Sequence, residues 1–195
     1  MSTYGAVPDE AISESRECRP LSCYGVGKHT SEGYLRVYQG NLPSVSLRMF
    51  NVYGPGQDLG NLRQGMVSIY LAQALANGQI EVKGNTDRFR DLIFIDDVVE
   101  AWFRASTYSS ALGQTLNLGT GLKTTVRILL ERVCELVPGS SYFVQGATPG
   151  DQSGIFADVT KLNTCLGMHS FVPLDIGLRK FFDWARKQKI TLTNN

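Results

Sequence analysis

The chain has 195 residues, enough to bury one sizeable hydrophobic core with at most a small lobe beside it. With 43% hydrophobic and 19% charged residues it has the composition of an ordinary globular protein. The formal net charge is +1 and the basic residues are scattered, which leaves no electrostatic footprint for nucleic acid or an anionic membrane and suits an enzyme of small molecules.

Residues 1–20 are polar and partly acidic, unlike a secretory signal, and the longest apolar stretch, residues 66–76, is too short to span a bilayer. A cytoplasmic location is the expectation. A helix is predicted over residues 21–39, opened by Pro20 and an N-cap at Ser22. Gly25 and Gly27 each cost such a helix about 1 kcal/mol relative to alanine, so both predict a close approach. Residues 45–51 read as a strand, and Asn51, Tyr53, Gly54, Pro55 and Gly56 as the loop that ends it, a place where binding groups often sit.

Residues 66–76 have the apolar content of a mostly buried helix, closed by Asn77 and Gly78. Residues 92–95 form a short buried strand; Asp96 or Asp97 then caps a helix with Val98, Ala101, Trp102 and Ala105 on one face. Another strand spans 116–118. Helical spacing returns at Val126, Leu129, Leu130 and Val133, and again at Leu178, Phe181, Phe182 and Ala185. Strands alternating with helices predict an α/β fold with parallel pairing.

Cys18, Cys23, Cys134 and Cys165 form no CxxC pair, and with His29 and His169 alone beside them no four-ligand zinc spacing can be assembled. Buried reduced thiols and no metal are expected. Residues 25–30 superficially suggest a phosphate loop, but its leading glycine would fall at Ser22, and Lys28 is followed by histidine. Gly119 and Gly121 lack the third glycine of a dinucleotide loop and suit a turn before a helix starting near Thr124.

Tyr24 and Lys28 are four apart on the first predicted helix and so share one face. An ammonium one turn from a phenol favours the phenolate, which lets a tyrosine act as a general base near neutral pH. Taken alone, the spacing is equally that of a solvated helix face.

Five segments in order carry a resemblance. They are Thr3, Tyr4 and Gly5; the run from Pro20 to Lys28; Arg48, Asn51, Tyr53, Gly54 and Pro55; Arg90 and Asp91 with Asp97; and Asn117, Gly119 and Gly121. In these the chain resembles the extended short-chain dehydrogenases/reductases, and among them the NAD-dependent epimerase/dehydratase family of nucleotide-sugar enzymes typified by UDP-glucose 4-epimerase. The resemblance implies the C-terminal part of a doubly wound Rossmann-type parallel sheet plus a small α/β substrate-binding lobe. Residues 1–60 and about 91–122 would belong to the dinucleotide-binding part; residues 61–90 and 123–190 would form the lobe.

It implies NAD as cofactor, a nucleotide sugar as substrate, and removal and return of a hydride at the sugar C4. Tyr24 would be the acid/base, Lys28 would hold the nicotinamide ribose, Asn51 would contact the nucleotide sugar, and Arg90 would pair with its diphosphate. Asn51 also suits a cap of the following turn, Arg90 an ion pair with Asp91. A dehydratase or reductase of the same family, or a non-catalytic sugar-nucleotide-binding or dimerisation remnant, are the alternatives.

Thr148 stands where many relatives have a diphosphate-binding arginine, and Gly27 where a serine is common. The family's glycine-rich loop and its catalytic serine or threonine would precede Met1, with roughly 120 to 130 residues of βα units. A chain so truncated is expected to be inactive or incomplete, with an open sheet edge at residues 45–51, and to associate as a homodimer or with a missing N-terminal half.

Overall fold

The computed structural model describes residues 2–146, 153–188, 190 and 192. The chain opens with β1 (Ala11–Ile12) and α1 (Cys23–Val37), then β2 (Ser46–Met49), β3 (Asn51–Tyr53), α2 (Met66–Asn77) and β4 (Gln79–Val82). There follow β5 (Phe89–Arg90), β6 (Leu92–Phe94), α3 (Ile95–Thr107), a 3-10 turn (Ser109–Ala111), β7 (Thr115–Leu118) and β8 (Thr124–Thr125). The remaining elements are α4 (Val126–Leu136), β9 (Ser141–Val144), β10 (Gly154–Ala157), α5 (Thr160–Leu166) and α6 (Leu174–Ala185).

Strands pair mainly in parallel: β2 with β7, β3 with β6, β4 with β9, and β10 with both β1 and β5, while β5 and β8 run antiparallel. Parallel neighbours need crossovers, and the helices between them supply these, so the architecture is the expected α/β. The single strand predicted over residues 45–51 divides at Phe50. The Phe50 N–H donates to the Leu118 carbonyl at 2.9 Å, the next N–H, of Asn51, to the Asp91 carbonyl at 3.0 Å. One extended run is thus shared between two pairings, which an alternation of apolar residues does not reveal.

Helix α1 starts where the capping chemistry puts it: the Ser22 hydroxyl accepts from the Gly25 N–H at 3.1 Å, satisfying one of the unpaired amides of the first turn. Gly25 alone of its 15 residues is buried. A Cβ at Gly25 would lie 2.5 Å from the Ser2 carbonyl oxygen and 3.0 Å from the Pro20 Cβ, so the approach that the sequence suggests is real there. At Gly27 the same space is open, and the expectation fails. Helix α2 ends on Gly78 at φ 67°, whose N–H returns to the Ala74 carbonyl, as the glycine stop predicts.

The largest apolar cluster lies among α2, α4 and α6, with Leu71, Leu130, Leu178 and Phe181 sealed from solvent. A second gathers Val98 and Ala101 of α3, Leu116 and Leu118 of β7, and Leu162 and Leu166 of α5. A small third cluster joins Tyr4, Ile12, Phe50, Ile155 and Ala157. Burial of Val126, Leu129, Leu130 and Val133 follows the predicted helical face.

Some expectations are corrected. Trp102 does not share the buried face of α3; with Val99 and Phe103 it points outward and is 58% exposed. Asp96 and Asp97 do not cap that helix, because Phe94 occupies the N-cap position. Both lie in its first turn, where the helix dipole favours a negative charge, and they tie α3 to its surroundings: Asp96 to the Lys180 ammonium at 2.9 Å, Asp97 to the Val172 N–H at 2.9 Å. The four cysteines are free thiols, but Cys23 is exposed and Cys18, Cys134 and Cys165 are half-buried. No described helix is long and apolar enough to cross a membrane.

Candidate active site

Tyr24 and Lys28 project from the first two turns of α1, on the same side of the helix as the spacing requires. The Lys28 ammonium nitrogen lies 5.4 Å from the centroid of the Tyr24 ring. Tyr24 is 66% exposed, so its phenol is open to a ligand.

Asn51 and Arg90, far apart in sequence, are brought to adjoining backbone. Asn51 opens β3, where it is in register with Leu92, and its N–H bonds the Asp91 carbonyl. Arg90 is the residue before that carbonyl; it is half-buried, and its Nη1 donates to the Phe89 carbonyl at 2.7 Å. The Asn51 Oδ1 is buried and has no hydrogen-bond partner. Asn51 does not cap the turn that follows: the Gly54 N–H in that turn is taken by the Gln57 Oε1 at 3.3 Å. A buried amide oxygen left unsatisfied is costly in a folded protein.

Asp91, which the sequence offers only as an ion-pair partner of Arg90, is a centre of organisation. It is fully buried. Its Oδ1 accepts from the Thr120 N–H and hydroxyl at 2.8 and 2.7 Å, its Oδ2 from the N–H groups of Gly121 and Ala157, both at 3.0 Å. The glycine at 119 is required here, since a Cβ would sit 2.5 Å from the Asp91 Oδ2. One carboxylate therefore fastens the turn after β7 and the end of β10 to the β5–β6 junction that carries Arg90.

A second unassigned group connects α1 to the sheet. Arg48 of β2, with a side chain only 8% exposed, donates from Nε and Nη2 to the two carboxylate oxygens of Glu32 at 2.9 and 2.7 Å. Its guanidinium carbon also lies 4.7 Å from the centroid of the Tyr4 ring, and the Tyr4 hydroxyl donates to the Asn117 Oδ1 at 2.5 Å. Asn117 in turn bonds the Ile12 carbonyl through Nδ2 and the Glu14 carboxylate through its N–H, both at 2.7 Å.

The electrostatics follow from this packing. Burial pushes the Tyr4 phenol up to about 12, against the opposing pull of Arg48. Burial likewise opposes the charge on Glu32, but the two hydrogen bonds from Arg48 and the neighbouring His29 outweigh it and hold the carboxyl below its ordinary range. A polar cleft of about 480 Å³ opens beside the pair, bordered by His29, Arg36 and Lys161. Tyr24, Lys28, Asn51 and Arg90 do not line it.

No spacing in the sequence signals that Glu32 and Arg48 meet, because their separation follows from how α1 docks on β2. Asp91 was visible only as part of a motif and as a partner for Arg90. Thr148, read as a departure at a diphosphate position, lies outside the described residues.

Residues 1–119 match the model of the family described as the NAD dependent epimerase/dehydratase family. The chain is 32% identical over 191 residues to the UDP-glucose 4-epimerase of Mycolicibacterium smegmatis, an alignment covering 96% of this chain and 60% of that protein. Among solved structures it is similar to the UDP-glucose 4-epimerase of Thermotoga maritima with UDP-glucose, at a TM-score of 0.88 and 30% identity over 95% of this chain and 60% of that one. It is also similar to the UDP-glucuronic acid 4-epimerase of Bacillus cereus in complex with UDP-glucuronic acid and NAD, at a TM-score of 0.83 and 27% identity, over 94% of this chain and 58% of that one. The fold is thus the Rossmann-type α/β architecture of these enzymes, and the chain spans about 60% of the length of the curated relatives it matches.

Proposed function

Because the chain belongs to the NAD dependent epimerase/dehydratase family, we propose that its protein epimerises a nucleotide sugar at C4, in the manner of a UDP-glucose 4-epimerase. The observation that carries the reading is the exposed Tyr24 phenol with the Lys28 ammonium 5.4 Å from its ring, on a helix within the matched residues.

In this reading Tyr24 takes the proton from the sugar C4 hydroxyl and returns it after the ketone has turned in the pocket. Lys28 hydrogen-bonds the nicotinamide ribose. The donor set suits that end of the cofactor: a phenol and an ammonium, side by side and accessible, match a vicinal diol. Bound NAD supplies the hydride acceptor and donor at C4. Asn51 offers its unsatisfied amide oxygen to the nucleotide sugar, and Arg90 meets the diphosphate with a permanently charged planar fork.

Residues 1–60 with about 91–122 would serve the dinucleotide side, and residues 61–90 and 123–190 the sugar-nucleotide lobe. The exposed Tyr34, Val37, Tyr38 and Leu42 on and after α1 would meet further protein, either a second copy or the rest of a longer polypeptide. The dehydratase reading rests on the same residues, since the family's description covers both reactions and the acid/base pair serves either.

The test supplies the longest polypeptide that carries this sequence with NAD and with UDP-glucose, UDP-galactose and dTDP-glucose, and follows sugar products by chromatography. Interconversion of the two UDP-hexoses, lost in Tyr24→Phe while the fold is retained, is the expected result. A 4-keto-6-deoxy product would replace epimerase by dehydratase. Absence of calorimetric binding for all three sugar nucleotides would sink the nucleotide-sugar reading altogether.

A further inference from the structure

Helix α1 carries the proposed acid/base pair, and among the described residues its attachment to the sheet is polar rather than apolar. Gly25 is its one buried residue, and Tyr24, Val26, Tyr34 and Val37 are all at least 50% exposed. Among the described residues, a specific polar attachment lies two turns beyond Tyr24: the bidentate pair between Glu32 and the buried Arg48.

Arg48 is itself held. It is gripped on one side by Glu32 and covered on another by the Tyr4 ring, and Tyr4 is pinned to Asn117 of β7. Arg48 is also three residues ahead of Asn51 on the run that leaves β2 for β3, and Phe50 between them is locked to Leu118. Displacing Glu32 from Arg48 therefore changes the relation between the helix bearing Tyr24 and Lys28 and the strand end bearing Asn51.

We propose that Glu32 and Arg48 are positioning residues: their ion pair fixes the seat of α1 on β2 and so the placement of Tyr24 and Lys28 relative to Asn51. The inference rests on the acid/base reading of Tyr24 for its catalytic consequence, whereas the anchoring itself is a property of the fold. Geometry favours this role over simple stabilisation. Both partners are largely withdrawn from water, with side chains 8% and 16% exposed, and the planar fork of arginine meets the carboxylate with two parallel bonds that specify direction as well as contact. A buried ion pair of this kind adds little net stability compared with an apolar pair, and its best attested use is to select one arrangement among several.

The experiment compares the full chain with Glu32→Gln, Arg48→Met and the exchanged pair Glu32→Arg with Arg48→Glu. Hydrogen exchange of the α1 amides is read beside that of α4, whose apolar face makes it an internal control for global stability. Glu32→Gln should speed exchange across α1 by about tenfold or more while α4 changes little. In the turnover assay with NAD and a UDP-hexose, kcat should fall by about 10- to 100-fold with KM altered by less than about threefold, since a displaced base costs rate more than affinity. The exchanged pair should recover α1 protection in part.

Unchanged exchange in α1 on Glu32→Gln overturns the anchoring. A loosened α1 with kcat and KM intact overturns the positioning role and leaves a structural one. Should the longest polypeptide carrying this sequence bind no nucleotide sugar and turn none over, the function proposed above is overturned, and the exchange data then decide the anchoring by themselves. Should Arg48→Met fail to fold, Glu32→Gln, which keeps the shape and one acceptor, carries the comparison.

Discussion

Asp91 holds Thr120 by both its N–H and its hydroxyl, at 2.8 and 2.7 Å, on a single carboxylate oxygen. The other oxygen receives the Gly121 and Ala157 N–H groups, so a charge sealed from solvent is balanced by four donors. Asp91→Ala strands all four and is expected to cost at least about 3 kcal/mol, as removal of one side of a buried charged network does. Thr120→Val deletes one donor and leaves the carboxylate three; about 1 kcal/mol is expected. Urea midpoints at constant slope measure both. Equal losses in the two variants would show that the carboxylate is not the fastener of this turn.

Two glycines of α1 should respond oppositely to alanine. At Gly33 no atom lies within 4 Å of where a Cβ would be, so Gly33→Ala recovers helix propensity alone and should stabilise by about 1 kcal/mol. At Gly25 the Cβ would meet the Ser2 carbonyl oxygen at 2.5 Å, and backbone is slow to yield; a net loss of about 1–3 kcal/mol is expected. Thermal unfolding of the two variants side by side provides the check. A Gly25→Ala chain as stable as Gly33→Ala would mean that the helix start and residue 2 do not touch.

Gly25 and Gly27 illustrate what the sequence can and cannot convey. Their cost inside a helix was legible, as was the Ser22 cap, because both are local; which of them had a neighbour was not, because Ser2 reaches Gly25 through the chain's path. The same division runs through the fold. Helices with strong apolar spacing, such as α4, were readable, whereas β5 and β8 were not, being two residues long and defined by their partners. Trp102 misled because it completes the helical spacing of Val98, Ala101 and Ala105, yet α3 turns it to solvent. At the candidate site, Tyr24 and Lys28 were visible from spacing and Asn51 and Arg90 from resemblance. Glu32, Arg48 and Asp91 act through partners that only docking brings within reach.

Asp97 makes stability depend on pH in a direction opposite to that of most carboxylates. Burial raises its carboxyl above the ordinary value of 3.8, and the neighbouring Asp96 adds to this, against the Val172 N–H and the Lys180 ammonium. The native state therefore holds the Asp97 proton to higher pH than the unfolded chain does. Its contribution to stability is complete below 3.8 and is lost as pH rises through the raised native value. Asp97→Asn keeps an oxygen to accept from Val172 without the buried charge. The variant should be at least as stable as the wild type at pH 7, with the difference vanishing below pH 3.8, which chemical denaturation at a series of pH values can follow. Loss of stability in Asp97→Asn at neutral pH would mean that the charge itself is needed at the start of α3.

Arg90 bears on ligand recognition, and its part can be separated from damage to the fold by comparing two ligands. If the guanidinium meets the diphosphate, it contributes to binding of UDP and nothing to binding of uridine. Charge-assisted hydrogen bonds of this kind are worth about 1.5–3 kcal/mol, so Arg90→Met should weaken UDP by about 10- to 100-fold. Arg90→Lys should fall between, because an ammonium restores the charge without the bidentate geometry. Raising the salt concentration should narrow the gap between wild type and Arg90→Met, since screening weakens an ionic contact open to solvent. Calorimetric titration with each ligand decides the matter: an equal loss for UDP and uridine in Arg90→Met would assign Arg90 to holding β5 between β10 and β8, where it is in register with Ile155 and Thr124, and would remove it from the diphosphate.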